Sequence, residues 1–157
     1  MSGALLPVGV SVVNLATALA EALLATRSDA IVAADHEGNV VFWNPGAERL
    51  FGYSADEALG RSLDLIVPER LRARHWEGYA RVMASGQSRY GEADVLAVPA
   101  LRKDGSTLSV EFTIVPLRDE AGSLIALAAL MRDVTKRFEE TRELKRKLAE
   151  ATKRATS

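Results

Sequence analysis

The sequence predicts an α+β fold in one domain with flanking helices, and three features indicate it. Two short apolar runs at residues 30–34 and 40–43 flank a polar turn, which is typical of a β-hairpin. Residues 68–85 repeat apolar side chains at helical spacing. Three more strand-like blocks follow between residues 90 and 133. A chain of 157 residues is long enough for a single hydrophobic core.

The apolar N-terminal segment predicts a helix and neither a signal peptide nor a membrane span. It lacks a basic n-region, and Pro7, Gly9, Asn14 and Glu21 interrupt its apolar run. Residues 15–26 have the spacing of an amphipathic helix, which would cover the domain or pair with a copy of itself. We therefore expect no membrane insertion and a cytoplasmic location.

Short helices are predicted between the hairpin and the long helix. Asn44 precedes a helix expected over residues 45–50, because proline is favoured in a first helical turn. Residues 54–57 (SADE) form a capping-box pattern that opens a second helix, which stops at Gly60. Residues 63–67 then form a brief apolar connector.

The long helix carries one of only two histidines on its apolar face. That face comprises Leu71, His75, Trp76, Gly78, Tyr79, Val82 and Met83. The opposite face comprises Arg70, Arg74, Glu77 and Arg81. Arg72 intrudes on the apolar face, and Gly86 ends the helix. An imidazole near the middle of a packing face must hydrogen-bond inside the protein or bind a ligand.

The three later blocks predict antiparallel strands over residues 90–101, 107–116 and 123–133. The middle block alternates apolar and polar side chains, so one sheet face is buried. The last block is almost wholly apolar, as expected of a central strand. Pro99 favours an edge position or a bulge for the first block.

The chain beyond Asp133 predicts a charged helix. Thr141, Leu144, Leu148 and Ala151 follow a 3-4-3 spacing that suits a short coiled-coil seam, and a solvated tail helix is the alternative. Its basic residues alternate with glutamates, which is typical of a solvated helix rather than a nucleic-acid stripe. With a net charge of −1, we expect no nucleic-acid partner.

Composition and motifs argue against an enzyme. The chain contains no cysteine, and it has no Gly-rich phosphate loop, serine-nucleophile motif or metal-ligand spacing. Its only histidines are His36 and His75, so the C-terminal helix has no phospho-acceptor histidine and the chain is not itself expected to be a histidine kinase.

Several separate motifs resemble the PAS domain family. They are DHEG at 35–38, WNPGAERLFGY at 43–53, RKDG at 102–105 and RDVT at 132–135, and the resemblance covers about residues 27–137. It implies a five-stranded antiparallel sheet with helices packed on one face and a ligand-sized space between them. It also implies that a signal leaves through the helix after Asp133.

The expected division of the chain follows from the same resemblance. Residues 1–27 form an N-terminal helix or cap, residues 28–133 the PAS domain, and residues 134–157 a signalling helix. The implied function is a sensory module of a larger signalling protein that carries an output domain. The alternative is a ligand-free PAS domain that acts as a dimerisation and protein-interaction module. Both are expected to be homodimers held by the terminal helices.

Heme is the cofactor for which the sequence carries a signal. Residues 68–75 (PERLRARH) are similar to the run ending in the proximal heme histidine of rhizobial FixL oxygen sensors, which places the iron ligand at His75. Those sensors supply an arginine from the following strand, whereas residues 95–98 here are VLAV, so an arginine contact to the gas is not expected. The lack of cysteine excludes cysteinyl-flavin and p-coumarate chromophores.

The pocket implied by the resemblance lies between the sheet and the long helix. Its expected lining residues are Leu71, His75, Tyr79, Val82, Leu96, Val98, Phe112, Ile114 and Leu127. Alternatively, His75 is a core histidine bonded to a backbone carbonyl or a carboxylate. Trp43 is expected in the core and His36 in a solvated turn. The role of Trp76 is undecided, because it lies at the edge of the apolar face.

Overall fold

The computed structural model describes residues 12–87 and 97–156. Its elements are α1 (Val12–Leu24), β1 (Ala30–Ala34), β2 (Val40–Trp43), α2 (Pro45–Phe51), α3 (Ala55–Ala58), a 3-10 turn (Leu63–Leu65), α4 (Glu69–Ser85), β3 (Val98–Leu101), β4 (Thr107–Arg118), β5 (Leu124–Asp133) and α5 (Thr135–Ala155). This order confirms the predicted α+β fold. The start of the predicted 90–101 block, including Leu96, lies outside the described residues.

All five strands form one antiparallel sheet in the order β2-β1-β5-β4-β3. β5 lies at the centre, as its apolar sequence predicts. β3 is an edge strand, which explains why Pro99 is tolerated opposite Ser109. β4 continues to Arg118, two residues beyond the predicted end, across an irregularity between Leu117 and Arg118.

Strand register divides the sheet into an inner and an outer face. The inner face comprises Ala30, Val32, Ala34, Trp43, Val98, Ala100, Leu108, Val110, Phe112, Ile114, Pro116, Leu127, Ala129 and Met131. The core forms where this face meets α2, α3 and the 3-10 turn. Trp43 is buried there, as predicted, with its ring centroid 5.5 Å from that of Phe51.

Local sequence accounts for the short helices. The Asn44 side chain caps α2, and Gly52 ends it with a φ of 83°, in the left-handed region that glycine adopts without strain. Ser54 and Glu57 form the predicted capping box of α3, each side chain bonding the other residue's backbone N–H. These caps fix the ends of the short helices, and backbone hydrogen bonds to the β1–β2 hairpin, such as that from the Gly60 N–H to the Val40 carbonyl at 2.8 Å, hold the segment in place.

Asn44 also fastens the linker between α1 and β1. It is the only buried polar side chain among the described residues, and its exposed fraction is 1%. Its Oδ1 accepts hydrogen bonds from the backbone N–H groups of Ile31 and Ala47, each at 2.8 Å. Its Nδ2 donates to the carbonyl oxygens of Thr26 and Asp29, each at 3.1 Å. One side chain therefore joins the linker, β1 and α2.

Helix α1 buries none of its side chains from residue 14 to residue 24 against the described part of the domain. Its side chains from residue 14 to residue 24 are all exposed, including Leu15, Leu19 and Leu23. The outer sheet face also exposes large apolar side chains, among them Val115 and Leu130. An isolated helix of 13 residues is marginal in water, so pairing with another surface is the remaining way to stabilise α1.

Helix α5 leaves the sheet at the end of β5. Val134 is buried, and its N–H donates to the Ser109 carbonyl at 2.9 Å. The Thr135 hydroxyl accepts from the Ser109 N–H at 2.9 Å, and Asp133 accepts from the Thr135 N–H at 2.9 Å. Arg102 lies 3.5 Å from the Asp133 carboxylate. The first turn of α5 is thus fixed to β4 and to the β3–β4 turn.

Candidate functional site

The predicted apolar face of α4 is the face that meets the domain. Its half-buried residues are Leu71, Arg72, His75, Trp76, Gly78, Tyr79, Val82 and Met83. Arg72 is tolerated on this face because its guanidinium donates to the carbonyls of Val67 (3.1 Å) and Asp64 (3.2 Å). No residue of α4 is fully buried. The helix therefore packs on the core through side-chain ends, without a close-packed backbone contact.

Two aromatic side chains fix the position of α4. The Tyr79 hydroxyl donates to the carbonyl of Asp35 at 2.5 Å and lies 3.2 Å from that of Ala34. Burial, assisted by nearby acidic groups, raises the pKa of Tyr79 to about 12, so the hydroxyl keeps its proton. The Trp76 Nε1 donates to Asp64 Oδ1 at 2.8 Å, which settles the open role of Trp76 as an anchor.

The Trp76 ring lies directly over Gly38 in the β1–β2 turn. Gly38 has a φ of 80°, and a Cβ atom built there would lie 2.1 Å from the ring. Only glycine satisfies both the backbone conformation and the close approach. Helix α4 thus packs against the β1–β2 turn through Trp76.

His75 lies beside these anchors, and its buried Nδ1 has no hydrogen-bond partner among the described residues. Its ring centroid lies 4.7 Å from that of Trp76 and 6.0 Å from that of Tyr79. The expected alternative, a core histidine bonded to a carbonyl or carboxylate, is therefore not found at this nitrogen. Such an unpaired group is costly and uncommon in native structures.

Burial also favours the neutral form of His75. Desolvation lowers its pKa below the ordinary 6.5, and the nearby Asp64 carboxylate offsets this only in part. A neutral imidazole is the form that ligates a metal ion. His36 is exposed, as predicted, and its Nε2 lies 2.8 Å from the Leu124 carbonyl oxygen.

The strand residues predicted to line the pocket share the inner face of the sheet. Val98 pairs with Val110, Phe112 with Met131, and Ile114 with Ala129. Leu127 lies two residues before Ala129 on the same strand and face. The side chains of Trp76 and Tyr79 pack against the core that this face forms. The described strand residues of the predicted lining therefore lie on one face of the sheet, and Leu96 lies outside the described range.

The described positions of the inner face offer no cationic side chain to a ligand. These positions, from Ala30 through Met131, carry no arginine or lysine. This agrees with the absence of the strand arginine noted in the sequence. Residues 95 and 96 lie outside the described range.

Asp64 and Gly38 were missed by the sequence analysis. Asp64 occupies a segment interpreted as an apolar connector, and its partner Trp76 lies twelve residues later. Gly38 was assigned only to a turn. One sequence signal could have identified both residues, namely Trp76 at the edge of the α4 apolar face. A packed indole needs an acceptor for its N–H, here Asp64, and space for its ring, here at Gly38.

Replacing His75 with leucine is expected to stabilise the ligand-free protein. The substitution removes an unpaired buried nitrogen, and we expect the free energy of unfolding to rise by about 1 kcal/mol at pH 7.5. The difference in free energy of unfolding between the variant and the parent should increase as the pH falls to 5.5. There the unfolded parent chain binds a proton that the folded chain resists, because the folded pKa lies below 6.5. Urea unfolding at both pH values measures the difference.

The matched control is His36→Leu, which alters an exposed imidazole and should not raise stability. A His75→Leu variant clearly less stable than the parent at pH 7.5 would contradict this account. It would show that the imidazole makes a stabilising internal contact.

The described residues contain no helix that is both long and apolar enough to cross a bilayer.

Comparison with known proteins places this geometry in a family. The PAS fold model matches residues 24–139, well over half of the chain. The oxygen sensor protein DosP of Escherichia coli is 34% identical over 108 residues, which cover 67% of this chain and 13% of DosP. The sensor protein FixL of Bradyrhizobium diazoefficiens is 28% identical over 113 residues, covering 72% of this chain and 22% of FixL.

A solved structure agrees with these sequence matches. The PAS domain of a Colwellia psychrerythraea protein superposes with a TM-score of 0.63 at 28% identity, covering 78% of this chain and 98% of that domain. The chain spans less than a quarter of the length of either DosP or FixL. The five-stranded sheet, the helix order and these matches agree, and the chain belongs to the PAS family of sensory domains.

Proposed function

We propose that this PAS domain is a sensory module that binds a small ligand between α4 and the inner sheet face and transmits its state through α5. The observation that carries this proposal is His75, a half-buried imidazole that favours the neutral form and whose buried Nδ1 atom has no partner among the described residues. An unpaired polar group on an otherwise apolar surface has a physical reason to persist if it serves a ligand.

Heme is the ligand that these residues fit best. A five-coordinate heme needs one neutral imidazole on an apolar wall, and His75 supplies it beside Leu71 and Val82. The opposing wall would be Phe112, Ile114 and Leu127 of the inner face. When bound, the heme would supply an iron centre able to take up a diatomic gas. The similarity to the oxygen sensor DosP and to FixL supports this choice.

The chain's own residues would fix the position of the imidazole and transmit changes in the pocket to α5. Trp76 and Tyr79 hold α4 through Asp64 and the Asp35 carbonyl, so His75 is kept at a fixed height above the sheet. Ile114 and Ala129 are paired across β4 and β5 on the pocket side. Because β5 leads directly into α5, a shift of these strands would reach the first turn of α5.

The protein is further proposed to be a homodimer, and α1 and α5 supply the surfaces. Leu19 and Leu23 on α1 are 57% and 56% exposed, and Leu144 and Leu148 on α5 are 66% and 68% exposed. Leucines at such spacing on unpaired helices favour helix pairing.

These same surfaces favour the second candidate function, a ligand-free interaction module. A non-enzymatic role, the output domain and the cytoplasmic location stay predictions.

The two candidates differ in whether a pocket ligand moves α5. The chain lacks cysteine, so Lys145→Cys gives one spin label per protomer on an exposed part of α5. At tens of micromolar protein, electron–electron distance measurement should find an interprotomer distance. Addition of hemin should shift that distance in the sensory module, because the ligand favours one packing of the paired helices.

A distance that hemin leaves unchanged would favour the interaction module. The absence of any interprotomer distance would contradict the homodimer. The matched control is the same label in His75→Ala, where hemin should produce no shift.

A further inference from the structure

The linker between α1 and β1 is hydrogen-bonded to the start of α2 from residue 26 to residue 29. Four successive carbonyl oxygens, those of residues 26 to 29, accept hydrogen bonds from this region. Asn44 Nδ2 donates to the carbonyl oxygens of Thr26 and Asp29, and the Gly46 N–H also donates to that of Thr26 at 3.0 Å. Arg49 donates to residue 27 at 2.6 Å and to residue 28 at 3.0 Å. The base of α1 therefore cannot move without α2.

The fit at this linker is too tight for another residue at Gly46. A Cβ atom there would lie 1.9 Å from the Asp29 carbonyl oxygen. Close backbone approach and complete carbonyl pairing make the linker a rigid connection rather than a flexible hinge.

The Asp29 side chain begins a second connection, on the other side of the linker. Its carboxylate makes a bidentate pair with Arg132 near the end of β5, with N···O distances of 3.0 and 3.3 Å. Arg132 is the direct cross-strand neighbour of Glu111 on β4. Glu111 in turn accepts from Arg137 Nη2 at 2.5 Å. Arg137 lies in the first turn of α5.

These four charges alternate in sign from the base of α1 to the base of α5. Asp29 and Glu111 are shielded, with side-chain exposures of 32% and 19%, whereas both arginines are more than 60% exposed. The neighbouring carboxylates, first Asp29 and then Glu111, raise the pKa of Arg132. Isolated surface pairs contribute little to stability, but the bidentate Asp29–Arg132 pair has a defined geometry, and Arg132 lies directly across the strand from Glu111, which pairs with Arg137.

We propose that Asp29, Arg132, Glu111 and Arg137 form an ionic strap that holds the bases of α1 and α5 in a fixed relation. The strap joins the two flanking helices to each other. The hydrogen bonds from Asn44 and Arg49 to the linker carbonyls join the same structure to α2. A displacement of α2 then reaches α1 and α5 together. None of the four strap residues is among those proposed to line the pocket, so the strap does not depend on which ligand the pocket binds.

The test is an intrachain distance measurement in the ligand-free full chain. Two labels at Glu21→Cys and Glu139→Cys report the relation of α1 to α5, because both positions are exposed and the parent has no cysteine. An excess of unlabelled chain suppresses distances between protomers. We expect a narrow distribution in the otherwise unaltered chain and clear broadening in Arg132→Gln and in Arg137→Gln.

The matched control is Arg146→Gln, which removes ion pairs to Glu143 and Glu150 within α5 but leaves the strap intact. It should retain the narrow distribution. Arg132→Lys, which keeps a positive charge between Asp29 and Glu111, should retain more of the narrow distance distribution than Arg132→Gln. Raising the salt to about 1 M, where the screening length falls to about 3 Å, should broaden the parent distribution.

Two results would overturn the strap. One is an unchanged width in both Arg132→Gln and Arg137→Gln with helix content retained by circular dichroism. The other is equal broadening in the Arg146→Gln control. Neither result bears on ligand binding, since no ligand is present.

Discussion

Replacing Asn44 with alanine is expected to lower the free energy of unfolding by about 3 kcal/mol or more. The substitution leaves the buried Ile31 N–H and the Asp29 carbonyl without their side-chain partner, and each such loss costs about 1–3 kcal/mol. It also removes the N-cap of α2, worth about 1 kcal/mol. Denaturant unfolding followed by circular dichroism measures the change.

Asn14→Ala is the matched control because the same substitution is made on exposed α1. Alanine has the highest helix propensity, so this variant should match or slightly exceed the parent. If Asn44→Ala unfolds within about 1 kcal/mol of the parent, the linker is not held by the bonds that the structure assigns to Asn44.

The regular elements were predictable because their signals are local. Alternation with a period of two identified β4, and helical periodicity identified α4 with its intruding Arg72. Pro99 marked the edge strand because proline cannot donate to a ladder. The pocket residues Phe112 and Ile114 were placed on one face by the same alternation.

The polar contacts that position these elements were not predictable. The Asp29–Arg132 pair joins residues 103 positions apart, and the Tyr79 hydroxyl finds a backbone carbonyl that no side-chain pattern marks. The role of α1 was open for a different reason. Its apolar stripe requires a covering surface, and the described part of its own domain does not provide one.

His75→Ala is expected to abolish binding of hemin at the proposed site. His75 supplies the imidazole of the proposed site, and the other histidine of the sequence, His36, lies in the exposed β1–β2 turn. The fold should persist, since Trp76 and Tyr79 still anchor α4. His75→Ala should therefore differ from the parent in heme content and not in secondary structure.

The direct measurement is an anaerobic titration of the ligand-free protein with hemin, followed at the Soret band, with His36→Ala as the matched control. The account predicts saturable, one-to-one development of a Soret band in the parent and in His36→Ala, and its loss in His75→Ala. Equal Soret development in the parent and in His75→Ala, or none in the parent, would contradict the assignment of His75 as the ligand of a heme pocket.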